Sequence, residues 1–304
     1  MIGGDQGGGA RSIFAGYHPI INFLYFGYVV LVPIFFMHPM ILGISFIAAI
    51  TYAIYLGGRR TAVFALGFVL PVMIVAALFN PAFNHRGVTI LFYFYYNPIT
   101  LEAIIYGLAS ATMIGSVILW FVSYNAIMTS DKFIYLFGRI VPAISLIISM
   151  ALRLVPLYIQ QTKKIISARR GIGFDVSSGK FMAKVRSGVE ILSVMITWAL
   201  ESGIETGDSM LARGYGLPGR TAYSNYRFDA RDKTLLVVFL VLMAVSVTGI
   251  LTGLVSVEYY NRFVLSDIQP LAAIIYLSHA AVCFLPFALE VREEAVWRSL
   301  RSKI

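Results

Sequence analysis

Long apolar runs separated by short polar segments dominate the hydropathy pattern of this chain. Each run approaches or exceeds the roughly 20 residues that an α-helix needs to cross a bilayer. The runs are continuous, whereas the strands of a membrane β-barrel alternate apolar and polar residues. The pattern therefore predicts an all-α, polytopic membrane protein with about six spans. The predicted spans are residues 20–37, 39–56, 61–79, 101–127, 234–256 and 271–290.

Composition agrees with this class of protein. Hydrophobic residues make up 59% of the 304 residues and charged residues only 13%, about half the charge of a typical soluble domain. The Gly-rich start, GGDQGGGARS, predicts a disordered tail. The predicted division of the chain is a tail (1–16), spans one to four (17–130), a charged module (131–233), spans five and six (234–290) and a C-terminal tail (291–304).

The distribution of positive charge predicts the orientation of the chain. If the N-terminus is cytoplasmic and six spans follow, all but two of the 24 Lys and Arg residues face the cytoplasm; the exceptions are Arg86 and Arg262. Positive charge beside membrane spans is retained on the cytoplasmic side. Both termini are therefore predicted to be cytoplasmic. This rule accounts for the net charge of +9, and no nucleic-acid partner is expected.

The segment 131–233 differs from the rest of the chain because it is long and charged. It carries fifteen Lys and Arg residues against eight Asp and Glu. Apolar residues at spacings of three and four predict two long amphipathic helices, from about Pro142 to Arg170 and from about Phe181 to Arg213. We interpret this segment as a cytoplasmic module.

Both predicted helices end in a similar sequence, SARRGIGFD in the first and SMLARGYGLPGR in the second. A Gly just past a helix end can adopt the left-handed conformation that closes the last turn. An Arg in that turn interacts favourably with the negative end of the helix dipole. An ordinary capped helix explains one such end. Two copies on successive helices favour a second interpretation, in which two arginine tips enter two equivalent acidic pockets on partner proteins.

Four stretches of the sequence together resemble a known family. They are NPAFNHRGVTILF with NPITLEAIIYG, RLVPLYIQQTKKIISARRG, WALESGIETGDSMLARGYG and GRTAYSNYRFDARD. The family is the transmembrane T component of energy-coupling-factor transporters, also called the cobalt-transport permease type.

The resemblance implies a scaffold in a prokaryotic inner membrane that binds two ATP-binding-cassette subunits through two cytoplasmic coupling helices. The ATPases would hold ATP and Mg²⁺, and this chain would hold no cofactor. A separate membrane S component would capture a vitamin or a transition-metal ion.

The resemblance also implies which residues bind the ATPases. The family motif is Ala-Arg-Gly, and the second helix matches it fully. The first helix departs from it, because Arg169 occupies the Ala position; Arg170 is favoured as the contact because it precedes the Gly. The implied ATPase-coupling residues are Ala168, Arg169, Arg170, Gly171, Ala212, Arg213 and Gly214.

Two further groups are candidates for supporting roles. Glu201, Glu205 and Asp208 follow at spacings of four and three, so they share one helix face, as intrahelical partners, as contacts to the other helix, or as a solvated surface. Gly107, Ala111 and Gly115 lie four residues apart, which lets another helix approach closely; we expect this face to contact the S component.

The sequence also argues against other functions. It contains no G-x-x-x-x-G-K-[ST] phosphate loop, no metal site is expected, and we predict that the chain is not an enzyme. The main alternative is a stand-alone secondary transporter, which would usually keep charged groups in mid-membrane. A membrane-embedded enzyme is a third class, for which we find no catalytic constellation.

Overall fold

The computed structural model describes residues 12–84, 87–94, 97–138, 142–173, 181–215, 217, 226–259, 264–265 and 270–301. The described chain forms two compact units, one made of residues 1–132 and 226–304 and the other of residues 133–225. The second unit lies within the charged segment 131–233. Arg86 and Arg262, the two cations predicted to face outward, lie outside the described residues.

The first unit contains six of the helices. They are α1 (Pro19–Phe35), α2 (Pro39–Phe64), α3 (Leu70–Phe83), α4 (Leu101–Ile127), α8 (Ala230–Leu251) and α9 (Pro270–Arg301). Two antiparallel strand pairs lie between helices. They are β1 (Ile90–Phe94) with β2 (Asn97–Thr100), and β3 (Val257–Glu258) with β4 (Val264–Leu265). These hairpins add short β-structure to a fold that is otherwise helical, as predicted.

Among the described residues, four helical stretches are long and apolar enough to cross a membrane. One of them, Pro39–Phe83, has 45 residues because a π-helical turn joins α2 to α3. Helical backbone geometry breaks at Gly58, with φ 56° and ψ −143°. The break falls between the predicted spans 39–56 and 61–79. The other three are α4, α8 and α9, and α1 is apolar but has only 17 residues.

Buried side chains of α1, α2, α4, α8 and α9 form the core of the first unit. Trp120 is fully buried, and its ring lies 5.9 Å from that of Tyr25 in an edge-to-face arrangement. The Trp120 indole N–H donates to Ser45 Oγ at 3.0 Å, which satisfies the one polar group of this side chain. These contacts fix three apolar helices around one aromatic centre.

The N-terminal segment corrects one prediction. Residues 1–16 were expected to be disordered, but Phe14–Gly16 form a short 3-10 helix and Phe14 is fully buried. The Phe14 ring packs edge-to-face on Tyr25 at 5.1 Å. The prediction is wrong for residues 12–16 because the Gly-rich composition stops before them and an aromatic anchor follows.

The second unit contains α6 (Pro142–Gly171) and α7 (Phe181–Ala212); α5 (Ser130–Gly138) connects it to α4. The bounds of α6 and α7 agree with the two long helices predicted from periodicity. Helix α6 continues through Pro156.

Candidate functional site

The end of α7 is closed by two backbone hydrogen bonds. Tyr215 N donates to Met210 O, and Gly214 N donates to Leu211 O, each at 3.0 Å. This is the Schellman arrangement, which requires a left-handed residue just after the cap. Gly214 supplies it with a φ of 80°. The arrangement leaves Ala212 and Arg213 exposed at the tip of the helix.

The end of α6 differs from the expected one. The helix includes Gly171, and the left-handed residue is Gly173, with a φ of 87°. Gly173 N donates to Arg170 O at 3.1 Å. The expectation that Gly171 closes the helix is therefore wrong. Relative to its Arg-Gly pair, α6 ends two residues later than α7 does, so the second Gly closes it.

Arg169 and Arg170 have different environments. The Arg169 guanidinium donates to Glu190 Oε2 at 2.7 Å and to Ser187 Oγ at 3.1 Å, both on α7. Only 18% of the Arg169 side chain is exposed. Arg170 lies on the exposed surface of α6. Arg169 thus connects the two helices, and Arg170 presents its side chain outward.

We call Arg169, Arg186, Ser187 and Glu190 the interhelical clasp. Arg186 lies 3.4 Å from Glu190 on the same helix, so this carboxylate interacts with two guanidinium groups. Hydrogen bonding from Arg169 lowers the pKa of Glu190 below its ordinary value. The Glu190 carboxylate is therefore ionised at neutral pH, so the interhelical clasp pairs a negative carboxylate with positive guanidinium groups.

The contacts between α6 and α7 show that the helices are antiparallel. Tyr158 packs edge-to-face on Trp198 with ring centroids 5.4 Å apart, and Thr162 Oγ1 lies 3.5 Å from Met195 Sδ. Further along α6, Arg169 contacts Ser187. The residue numbers of the contacting pairs therefore increase along α6 and decrease along α7. The two helix ends carrying Arg170 and Arg213 therefore lie at opposite ends of the pair. The 26 residues from Ser187 to Arg213 correspond to about 39 Å along α7.

Several curated proteins similar to this chain share one name. The chain is 35% identical over 104 residues to the energy-coupling factor transporter transmembrane protein EcfT of Lactobacillus helveticus. The matched residues cover 34% of this chain and 38% of that protein. It is 28% identical over 212 residues to the EcfT of Streptococcus thermophilus, covering 65% and 76%. The match to the EcfT of Bacillus subtilis is 32% over 102 residues, covering 33% and 38%. The chain thus spans well under half the length of two of these three relatives.

This chain is thus similar to energy-coupling factor transporter transmembrane proteins, at 28% to 35% identity. No family model matches it. The similarity to the individual EcfT proteins agrees with the family resemblance described from the sequence.

The predicted supporting acids lie on the surface of α7. Glu201, Glu205 and Asp208 are all exposed. The acid that connects the helices is Glu190, which the sequence analysis counted among the charges but did not single out. The sequence offers one signal for it, the Arg169 substitution in the Ala position, but that signal does not specify which acid would pair with the extra cation.

The small-residue face of α4 packs within the chain. A Cβ built on Gly107 would lie 2.5 Å from Ala77 O on α3, and one on Gly115 would lie 2.5 Å from Met73 Sδ. Ala111 is only 1% exposed. The small side chains allow close approach of a helix, and within this chain that helix is α3. A contact between this face and the S component stays a prediction.

Proposed function

We propose that this chain is the coupling scaffold of an ATP-driven importer and that it binds two ATP-binding-cassette subunits through Arg170 and Arg213. The observation that carries the proposal is the placement of these two exposed arginines at opposite ends of the antiparallel α6–α7 pair. A separation of about 39 Å along α7 suits two binding sites on two subunits better than two contacts within one pocket.

Guanidinium chemistry fits this role. An Arg side chain binds carboxylates through two parallel hydrogen bonds and keeps its charge when partly desolvated. Each tip would therefore enter an acidic groove of one ATPase. Arg170 is exposed and directly precedes Gly171, as Arg213 directly precedes Gly214. Arg170 is therefore the arginine of the first motif that we assign to the partner.

The remaining parts of the proposal follow from this arrangement. The ATPases would hold ATP and Mg²⁺, and closure of the ATPases would move α6 and α7. A membrane S component would supply the vitamin or transition-metal ion. The α6–α7 module and both termini would face the cytoplasm of a prokaryotic cell, which the distribution of Lys and Arg supports.

The test is co-purification of the chain with its two ATPases after substitution of both arginines. We expect Arg170→Ala with Arg213→Ala to abolish the complex and ATP-dependent uptake. Each arginine should contribute about 2 kcal/mol or more, which is about a 30-fold loss of affinity. The matched control replaces the exposed cations Lys163 and Lys184 by Ala and should retain both. Survival of the complex and uptake in the arginine variant would contradict the proposal.

A second assay separates this proposal from a stand-alone secondary transporter. The purified chain is reconstituted in vesicles without ATPases, and an ion gradient is applied. We expect no uptake of vitamins or transition-metal ions under these conditions. Gradient-driven uptake by the chain alone would overturn the scaffold assignment, whatever the behaviour of the arginine variants.

A further inference from the structure

The β1–β2 hairpin presents an unusual surface at the start of α4. Leu91, Phe92 and Tyr93 are 50%, 53% and 67% exposed. Successive residues of a strand point to opposite faces, so both faces of the β1 strand expose large apolar groups. A hairpin in water would normally bury one of these faces.

The surroundings of the hairpin are also apolar. No Asp, Glu, Lys, Arg or His occurs from Val88 to Leu101. The end of α3, which leads into the hairpin, exposes Phe79 and Phe83, whose rings stack with centroids 4.4 Å apart. The exposed surface of β1 therefore continues the exposed apolar surface of a membrane-spanning helix.

The base of the hairpin is held by a buried carboxylate. Glu102, only 3% exposed, accepts hydrogen bonds from Thr89 N at 3.2 Å and from Thr89 Oγ1 at 2.9 Å. Leu101 N also donates to Thr89 O at 3.0 Å. These bonds connect the first turn of α4 to the start of β1. The position of the hairpin is thus fixed relative to the N-terminal end of α4.

The unpaired backbone groups of the hairpin limit how deeply it can lie in the bilayer. The outer edges of a two-stranded hairpin carry unpaired N–H and C=O groups, which are not tolerated in the hydrocarbon core. The 27 residues of α4 extend about 40 Å, whereas the hydrocarbon core is about 30 Å thick and the bilayer with its polar regions about 40–45 Å. The base of the hairpin at the start of α4 therefore reaches the headgroup layer.

We propose that the β1–β2 hairpin is an interfacial anchor, whose Leu91, Phe92 and Tyr93 side chains insert into the headgroup–acyl boundary of the bilayer. Aromatic residues concentrate at this depth because it accommodates both an apolar ring and a polar edge. The anchor would fix the vertical position of α4, since Glu102 joins the two. This inference does not depend on the ATPase contacts proposed above.

Spin labels measure the depth directly. Leu91→Cys and Tyr93→Cys variants of the full chain are labelled and reconstituted in phosphatidylcholine–phosphatidylglycerol vesicles. The native Cys283 is fully buried, and an unsubstituted sample checks that it stays unlabelled. Ile47→Cys, exposed in the middle of predicted span 39–56, gives the hydrocarbon reference, and Lys184→Cys gives the aqueous one. Accessibility to oxygen and to a water-soluble nickel chelate is then compared.

We expect both hairpin labels to collide with both reagents and to lie between the two references, at the level of the lipid phosphates. Labels that behave like Lys184→Cys would place the hairpin in water and overturn the proposal. Labels that behave like Ile47→Cys would place it in the hydrocarbon core and overturn the depth argument. Immobile labels shielded from both reagents would show that protein covers the hairpin and would also refute the anchor.

Discussion

At the scale of single residues, Arg169 and Arg170 show how adjacent cations can have separate roles. The two share a sequence motif, yet Arg169 contacts Glu190 across the helix pair and Arg170 lies on the outer surface. Because the Arg169 bond to Glu190 is charge-assisted, its loss should change how α6 and α7 associate. Arg170, by contrast, is the residue that we assign to a partner.

This difference gives a prediction for the interhelical clasp. Arg169→Ala and Glu190→Gln should each lower the thermal stability of the chain in detergent, and the double variant should lower it by less than the sum of the two. Lys163→Ala, which removes an exposed cation from the same helix, is the matched control and should unfold like the parent chain. Additive losses in the double variant would show that the two side chains are not coupled.

The clasp should also depend on pH in a definite direction. The pKa of Glu190 is lowered in the folded chain, first by the hydrogen bond from Arg169. A carboxyl group with a lowered folded-state pKa stabilises the fold above its unfolded pKa, and that stabilisation disappears as the pH falls through the folded-state value. The coupling between Arg169 and Glu190 should therefore be full at pH 7. It should be lost only at a pH below 4.5, which is the ordinary pKa of a Glu side chain.

At the scale of secondary structure, the two glycines at the Arg-Gly ends should respond differently to the same substitution. Gly214 has a φ of 80°, and a Cβ there would lie 3.0 Å from Leu217 Cδ1. Gly171 is helical, and its Cβ would meet nothing within 4 Å. Gly214→Ala should therefore destabilise the end of α7 by about 1–2 kcal/mol, whereas Gly171→Ala should be neutral or stabilise α6 by up to about 1 kcal/mol.

Thermal unfolding of the two single variants in the same detergent checks this prediction. The left-handed residue after α6 is Gly173, so Gly173→Ala should behave like Gly214→Ala and not like its neighbour. A destabilising Gly171→Ala with a harmless Gly173→Ala would mean that α6 ends where the motif suggested, at the first glycine of the pair.

The helices themselves could be predicted from the sequence, because apolar periodicity indicates α6 and α7 locally, although the Arg-Gly pair gave the correct closing glycine only for α7. The partners of those helices could not. The spacing of Gly107, Ala111 and Gly115 predicts a close helix contact, yet spacing alone does not say whether α3 or another subunit makes it. The partner of Arg169 is likewise 21 residues away on another helix, beyond the reach of a local pattern.

At the scale of the whole chain, charged groups from three distant positions hold the N-terminal segment in the first unit. Lys132 donates to Ile127 O at 3.0 Å and to Ala15 O. Asp232 Oδ1 accepts from His18 N at 3.4 Å. Composition predicted disorder here because each partner is more than 100 residues from the segment, and burying all three charges requires the folded bundle.

The third group, Glu290 of α9, is the one whose removal should be most costly. It is 2% exposed and accepts from Ile13 N at 3.0 Å, from Phe14 N at 3.3 Å and from Ser12 Oγ. Glu290→Ala would leave these donors buried without an acceptor, at about 1–3 kcal/mol, and would release Phe14 from the aromatic core.

We therefore expect Glu290→Ala to lower the melting temperature of the purified chain and to expose the segment near Phe14 to protease. The matched control is Glu294→Ala, one turn further along α9. Glu294 forms an exposed pair with Arg298 at 2.6 Å, and such surface pairs contribute little to stability. If both variants melt alike and resist protease alike, the N-terminal segment is held by the Phe14 ring rather than by the carboxylate. The prediction is confirmed only if the Glu290 variant alone has a lower melting temperature and greater protease sensitivity near Phe14.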